Sequence, residues 1–217
     1  MPEDAGTGFE TSRLKGGVRS ALKHDSADLH VTGEARYVDD LPEPADCLHL
    51  YIATSEQAHA QIKDMDLSDV RHAPGVVAVL TAKDIPGTND IGPIVPDDPL
   101  FVEDTVMYHG QCLFAVAAES RKAARHAAQK AQIDYESLSP LVTIKDARAA
   151  GSLIEAEQVM ALGDAETAIR RAPHSLSGRL TEGGQDHFYL EGQVAMAIPG
   201  ENGEILVHSS TQNPTEA

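Results

Sequence analysis

Hydrophobic and polar positions change period several times along the 217-residue chain, and each change predicts an element. In CLHLYIATS (47–55), Leu48, Leu50 and Ile52 alternate with their neighbours, the period of a β-strand. AQIKDMDLS (60–68) sets Ile62, Asp64 and Asp66 against Lys63, Met65 and Leu67, which predicts a second, half-exposed strand. DVRHAPG (69–75) predicts a single helical turn halted by Pro74 and Gly75. The unbroken apolar runs VVAVLT (76–81) and CLFAVAAES (112–120) predict buried strands. Between them, Ala82 to Asp104 is rich in Pro and Gly and predicts a long irregular loop, a kind that is often functional. RKAARHAAQKAQ (121–132) then brings Ala123, Ala124, Ala127, Ala128 and Ala131 to helical spacing, so that this helix lies close on a sheet. IDYESL (133–138) leaves as a strand.

After Pro140 the pattern predicts two short helices, 143–151 and 164–173, the second capped by Asp164. From His174 the spacing turns to strands. Leu176, Gly178 and Leu180 alternate with polar residues, and Phe188, Leu190, Gly192, Val194, Met196 and Ile198 keep one parity. PGENGE (199–204), with its Asn202-Gly203 pair, predicts a hairpin turn, and ILVHSSTQN returns. Residues 1–24 carry no periodicity and are expected to form a flexible arm, with order beginning near 29–44 and a turn at Gly33. The fold class is therefore α+β. A sheet that stops at Ala217 without a capping element is expected to be a fragment.

Composition narrows the function classes. Thirty-four acidic residues against seventeen basic ones give a formal charge of −17, which argues against nucleic acid and against an anionic membrane surface. Arg13, Lys15, Arg19 and Lys23 share an acid-free window, so the arm is expected to be drawn to an acidic surface or to remain solvated. Cys47 and Cys112 lie too far apart for a zinc knuckle or a redox pair. With no signal-peptide core and no apolar run of membrane-spanning length, a cytoplasmic setting is expected.

Motif chemistry is sparse. There is no phosphate-binding GxxxxGK[ST], no G-x-S-x-G elbow, and no helical His pair; Gly6-x-Gly8 has no strand before it. Asp186 and His187 are adjacent and so point to opposite faces of a strand, a poor start for a metal site. Asp39-Asp40 and Asp97-Asp98 are expected to be solvated loop charges, and His109 a turn residue. The stretch GGQDHFYLEG (183–192) is the exception. Two glycines before a strand-like run signal a bulge, a bend or a close approach of the backbone to another group.

Four segments in order carry a family resemblance: 20–44 (SALKHDSADLHVTGEARYVDDLPEP), 50–90 (LYIATSEQAHAQIKDMDLSDVRHAPGVVAVLTAKDIPGTND), 104–138 (DTVMYHGQCLFAVAAESRKAARHAAQKAQIDYESL) and 178–217 (GRLTEGGQDHFYLEGQVAMAIPGENGEILVHSSTQNPTEA). Together they resemble the molybdenum-binding subunits of xanthine dehydrogenases within the molybdenum hydroxylase superfamily. The resemblance implies an α/β-hammerhead domain over 25–139 and, over 140–217, the incomplete start of a molybdopterin-binding domain.

In that family the glutamine after the double glycine contacts an oxo ligand of molybdenum, which here implies Gln185, with Gly183 and Gly184 beside the cofactor. A carboxamide suits the role, being neutral at working pH and able to donate an N–H. The implied reaction is oxidative hydroxylation of hypoxanthine or xanthine to urate, in purine catabolism. Electrons would leave through 2Fe-2S and FAD centres in a partner subunit to NAD. The family's glycine-rich cofactor loop, substrate-orienting arginine and base glutamate are absent from these residues, so no catalytic residue is assigned and the chain alone is expected to be inactive. Its implied partners are the remainder of the same subunit, the Fe-S/FAD subunit and a purine, in an oligomeric enzyme. Two alternatives remain: a relative acting on an aldehyde or another N-heterocycle, or a non-catalytic hammerhead interaction module.

Overall fold

A computed structural model describes residues 21–93 and 95–214. Most of the expected arm, residues 1–20, lies outside them. The chain divides into two units, Glu43–Asp186 and a second made of Met1–Pro42 with His187–Ala217.

The first unit is built on the most apolar strand. β5 (Cys112–Ala118) is the centre of a three-stranded sheet, flanked antiparallel by β1 (His49–Thr54) and β3 (Val76–Leu80). From Leu113 to Ala118 every residue of β5 is buried, as the unbroken apolar run predicts. β3 departs from that expectation. It is an edge strand with a register shift between Val76 and Ala78, so Val79 is buried while Val77 remains exposed. Only one of its sides has a partner, and an apolar run does not by itself reveal which strand will be central.

Helix α3 (Arg121–Ala128) starts where Ser120 takes an extended backbone and its Oγ accepts a hydrogen bond from the Ala123 amide. Its Ala124, Ala127 and Ala128 are buried in one cluster with Ala53, Val79, Phe114 and Val116. Alanines allow the helix axis to come close to the sheet. The chain continues into β6 (Gln132–Ser137), in a second sheet of order β4–β2–β6, with β2 spanning Ala60–Asp66 and β4 Thr105–Val106. Ile62, Met65, Ile133 and Tyr135 of this sheet pack against the same cluster. The turn before β3 is α2 (Ser68–Arg71), followed by Gly75 at φ 78°, a left-handed position that favours glycine.

The remainder of this unit includes α4 (Ile144–Ala149) and α5 (Ala165–Arg171), capped by Thr143 and Asp164. Neither helix buries a residue. In the second unit, α1 (Ala27–Thr32) ends at Gly33, and Glu191 accepts a 2.7 Å hydrogen bond from the Val38 amide. β7 (Ala195–Pro199) and β8 (Ile205–Ser209) form the expected hairpin, with Asn202 at φ 57° and Gly203 at φ 82° in its turn. Ser210 prolongs the ladder: its Oγ accepts from the Val194 amide and donates to the Gly192 carbonyl.

Two expected strands are corrected. Leu176–Thr181 and the stretch from Phe188 to Val194 are not strands; regular pairing begins at Ala195. A strand needs a hydrogen-bonded neighbour, and apart from Val194, which meets Ser210 at the end of the hairpin, neither stretch is paired with a described segment.

Candidate functional site

Between α5 and β7 the backbone is irregular and every residue from Ala172 to Leu190 is exposed. Gly183, Gly184 and Gln185 lie in the middle of this run. Neither glycine has a left-handed φ, and a Cβ on either would meet nothing within 4 Å. The double glycine thus answers no steric demand of the chain's own atoms. What it provides is an uncluttered backbone next to an exposed, neutral carboxamide. Three residues on, Phe188 has φ 48° and is 96% exposed. The left-handed region is uncommon for a bulky residue.

No group of three or more His, Cys, Asp or Glu able to hold a metal occurs among the described residues, and Asp186 and His187 have no such companions. The stretch fits a group that needs approach and a neutral donor, and supplies no ligand set of its own.

The long loop before β5 is pinned by amides that periodicity does not reveal. The Asn89 carboxamide pairs with the Phe101 backbone as another backbone would, donating to its carbonyl at 2.7 Å and accepting from its amide at 3.0 Å. Gln111 is buried, and its Oε1 accepts from the Met107 amide at 2.8 Å, while its carbonyl accepts from the Ser55 amide. The signal in each case was only a carboxamide, Asn89 within the loop and Gln111 after Gly110. Its partner, 4 to 12 residues away, was not marked.

Titratable groups carry structural duties. Ser68, Thr81 and Thr167 donate to Asp66, Asp84 and Asp164, holding all three carboxyls below their usual range. Burial first, and then Asp98, pushes the Cys112 thiol up, so it stays protonated and is a poor nucleophile. The same two causes, in the same order, raise Tyr108.

Residues 32–139 match the family described as aldehyde oxidase and xanthine dehydrogenase, a/b hammerhead domain, and residues 149–217 match the molybdopterin cofactor-binding domain. The chain belongs to the molybdenum hydroxylase superfamily. Among the superfamily's curated members it is 40% identical over 208 residues to a xanthine dehydrogenase of Dictyostelium discoideum, covering 96% of this chain and 15% of the relative. It is 41% identical to the xanthine dehydrogenase/oxidase of Gallus gallus (90% of this chain, 14% of that protein). It is also 40% identical to aldehyde oxidase 2 of Cavia porcellus (91% and 15%). The chain thus spans about 15% of the length of the curated relatives it matches. Of solved structures, the aldehyde oxidoreductase from Desulfovibrio gigas superposes with a TM-score of 0.71 at 28% identity, over 85% of this chain and 23% of that one. Quinoline 2-oxidoreductase from Pseudomonas putida 86 shares the fold at a TM-score of 0.72 and 23% identity, over 88% and 26%. The expected α+β architecture, a hammerhead domain followed by the start of a molybdopterin-binding domain, is the one this superfamily has.

Proposed function

We propose that the chain serves a molybdenum hydroxylase of the xanthine dehydrogenase type, with a hammerhead domain over 25–139 and cofactor-binding sequence over 140–217. The observation that carries this reading is 40% identity to a xanthine dehydrogenase, sustained over 96% of the chain. The bound molybdopterin would supply the redox chemistry of purine hydroxylation, as cofactors do the hard chemistry.

This chain's own residues would position the group. Gln185 would donate its carboxamide N–H to an oxo oxygen without adding charge, and Gly183 and Gly184 would leave room for close approach. Electrons would pass to 2Fe-2S and FAD centres in a partner subunit and then to NAD, in a cytoplasmic, oligomeric enzyme. The base glutamate and substrate arginine of the family have no counterpart in these residues, so the 217-residue chain by itself would neither oxidise purine nor hold the pterin tightly.

A second reading has its own support, since aldehyde oxidase 2 of Cavia porcellus matches at the same 40% identity. Turnover of the assembled enzyme separates the two. Xanthine and hypoxanthine oxidised with much higher kcat/KM than benzaldehyde or quinoline support the purine reading. The reverse order replaces it with the aldehyde or N-heterocycle reading, and molybdenum-loaded enzyme inert towards all four substrates removes both.

A further inference from the structure

The outer face of α3 breaks a local rule that the rest of the chain keeps. Arg121 and Lys122 occupy the first turn of the helix and no acid does. The positive end of the helix dipole meets two cations there, each unfavourable by an amount that would favour an anion. Arg125 follows Arg121 at i+4, and that like-charge spacing also destabilises a helix. Glu43 lies 3.6 Å from Arg121, but no carboxylate lies within 4.0 Å of Lys122 or Arg125 among the described residues.

The fold does not need these cations. Packing on the sheet is done by Ala124, Ala127 and Ala128, on the opposite side of the helix. Arg121, Lys122, Arg125, His126 and Gln129 instead line a shallow cavity of about 390 Å³. A concentrated positive surface on a chain of net charge −17 is a departure that folding alone does not explain.

We propose that this face of α3 is a docking surface for an acidic segment of a partner protein. Charge complementarity selects the partner. Lys122 and Arg125 are neighbours at i, i+3 on this face, so a carboxylate-bearing loop can pair with the Lys122 ammonium and the Arg125 guanidinium at once. A helix of eight residues is only about 12 Å long, too short to follow a nucleic-acid backbone, and the surrounding negative field repels a polyanion that extends past the patch. The proposal rests on α3 alone and is independent of the substrate and of Gln185.

A fluorescein-labelled glutamate peptide of about four residues, which at about 3.3 Å per residue does not outrun the helix, titrated with the 217-residue chain at about 0.1 M salt, where charges beyond about 10 Å are screened, tests it by anisotropy. Saturable binding is expected, weakened about tenfold or more by the double variant Lys122→Glu with Arg125→Glu. A control on α4, Lys145→Glu with Arg148→Glu, makes the same change in net charge and should leave binding intact. The milder Lys122→Gln with Arg125→Gln should weaken binding in the same direction while keeping the circular dichroism of the parent. Lys122→Glu alone should raise Tm by about 1–2 °C, since it puts an anion at the positive end of the helix. Absence of saturable binding overturns the proposal. So does an equal loss in the α4 control, and so does tighter binding of duplex DNA of equal charge.

Discussion

A methyl group on Gly184 would touch nothing in this chain. Alanine there should leave the stability of the chain unchanged or raise it by about 0.4–1 kcal/mol, because it reduces the freedom of the unfolded state. In the assembled enzyme the proposal predicts the opposite sense for function: the methyl stands where the cofactor would approach, so Gly184→Ala should lower molybdenum content per protein. Gln185→Ala removes one donated hydrogen bond and adds no bulk. It should keep its molybdenum and lose about tenfold or more in kcat, the worth of roughly 1.4 kcal/mol. Metal analysis beside steady-state kinetics checks both, and unchanged kcat with full metal takes Gln185 out of the site. At the same scale, Lys63 shows why parity misassigns faces. Simple alternation puts Ile62 and Met65 on opposite sides of β2, yet both pack on the core, because the register shifts between Ile62 and Asp64. Lys63 pairs with Glu136 across the strands. Nothing in the local composition announces that bulge.

Within an element, legibility followed how much of the element's logic is local. α3 could be read from its alanine stripe and its period, which are local, although it ends at Ala128 rather than at 132; its Ser120 cap, not marked by the period, lies directly before it. Ser120→Ala should cost about 1 kcal/mol by removing the cap. Ala127→Leu should cost about 1–3 kcal/mol by forcing the helix off the sheet, where Ala127 is 1% exposed. Urea denaturation of the two variants measures both. α5 adds a pH dependence. Hydrogen bonds from Thr167, first the hydroxyl and then the amide at 2.9 Å, depress the Asp164 carboxyl in the folded helix. A depressed carboxyl stabilises the fold above its unfolded pKa, and that support is lost as the pH falls through the folded value. The Thr167 amide should therefore lose hydrogen-exchange protection below about pH 4. Asp164→Asn, which caps without titrating, should flatten the profile, and an unchanged profile would remove the carboxyl as its cause. The strands expected at 176–181 and 188–194 had the right period and still did not form, because a strand, unlike a capped helix, is completed by a neighbour distant in sequence.

At the scale of the whole chain, buried and exposed apolar residues are distributed unevenly. The buried cluster is drawn from residues between Ala53 and Ala128, whereas Ile154, Met160, Leu162, Leu176, Leu180 and Leu190 are each at least 85% exposed. The first region is the part whose period, loops and caps were legible, since its strands find their partners within the same stretch of sequence. The second keeps the alternation of a sheet face and has nothing described to bury it. If its pattern is a requirement for partner strands in the larger relatives, the difference is measurable by hydrogen exchange. In the 217-residue chain, amides of 174–194 should exchange within seconds at neutral pH, with Val194 slower because its amide is bonded to Ser210. Those of β5 should be the slowest in the molecule, because its strand is paired on both sides and buried. In an assembled enzyme carrying the full cofactor-binding subunit, protection should appear over 188–192 and leave β5 unchanged. The chain alone should also self-associate with rising concentration in sedimentation velocity, through the apolar segments and the open edges of the β7–β8 hairpin. Strong protection of 174–194 in a strictly monomeric chain would mean that this stretch already has its partner, and that its exposed leucines answer to no larger assembly.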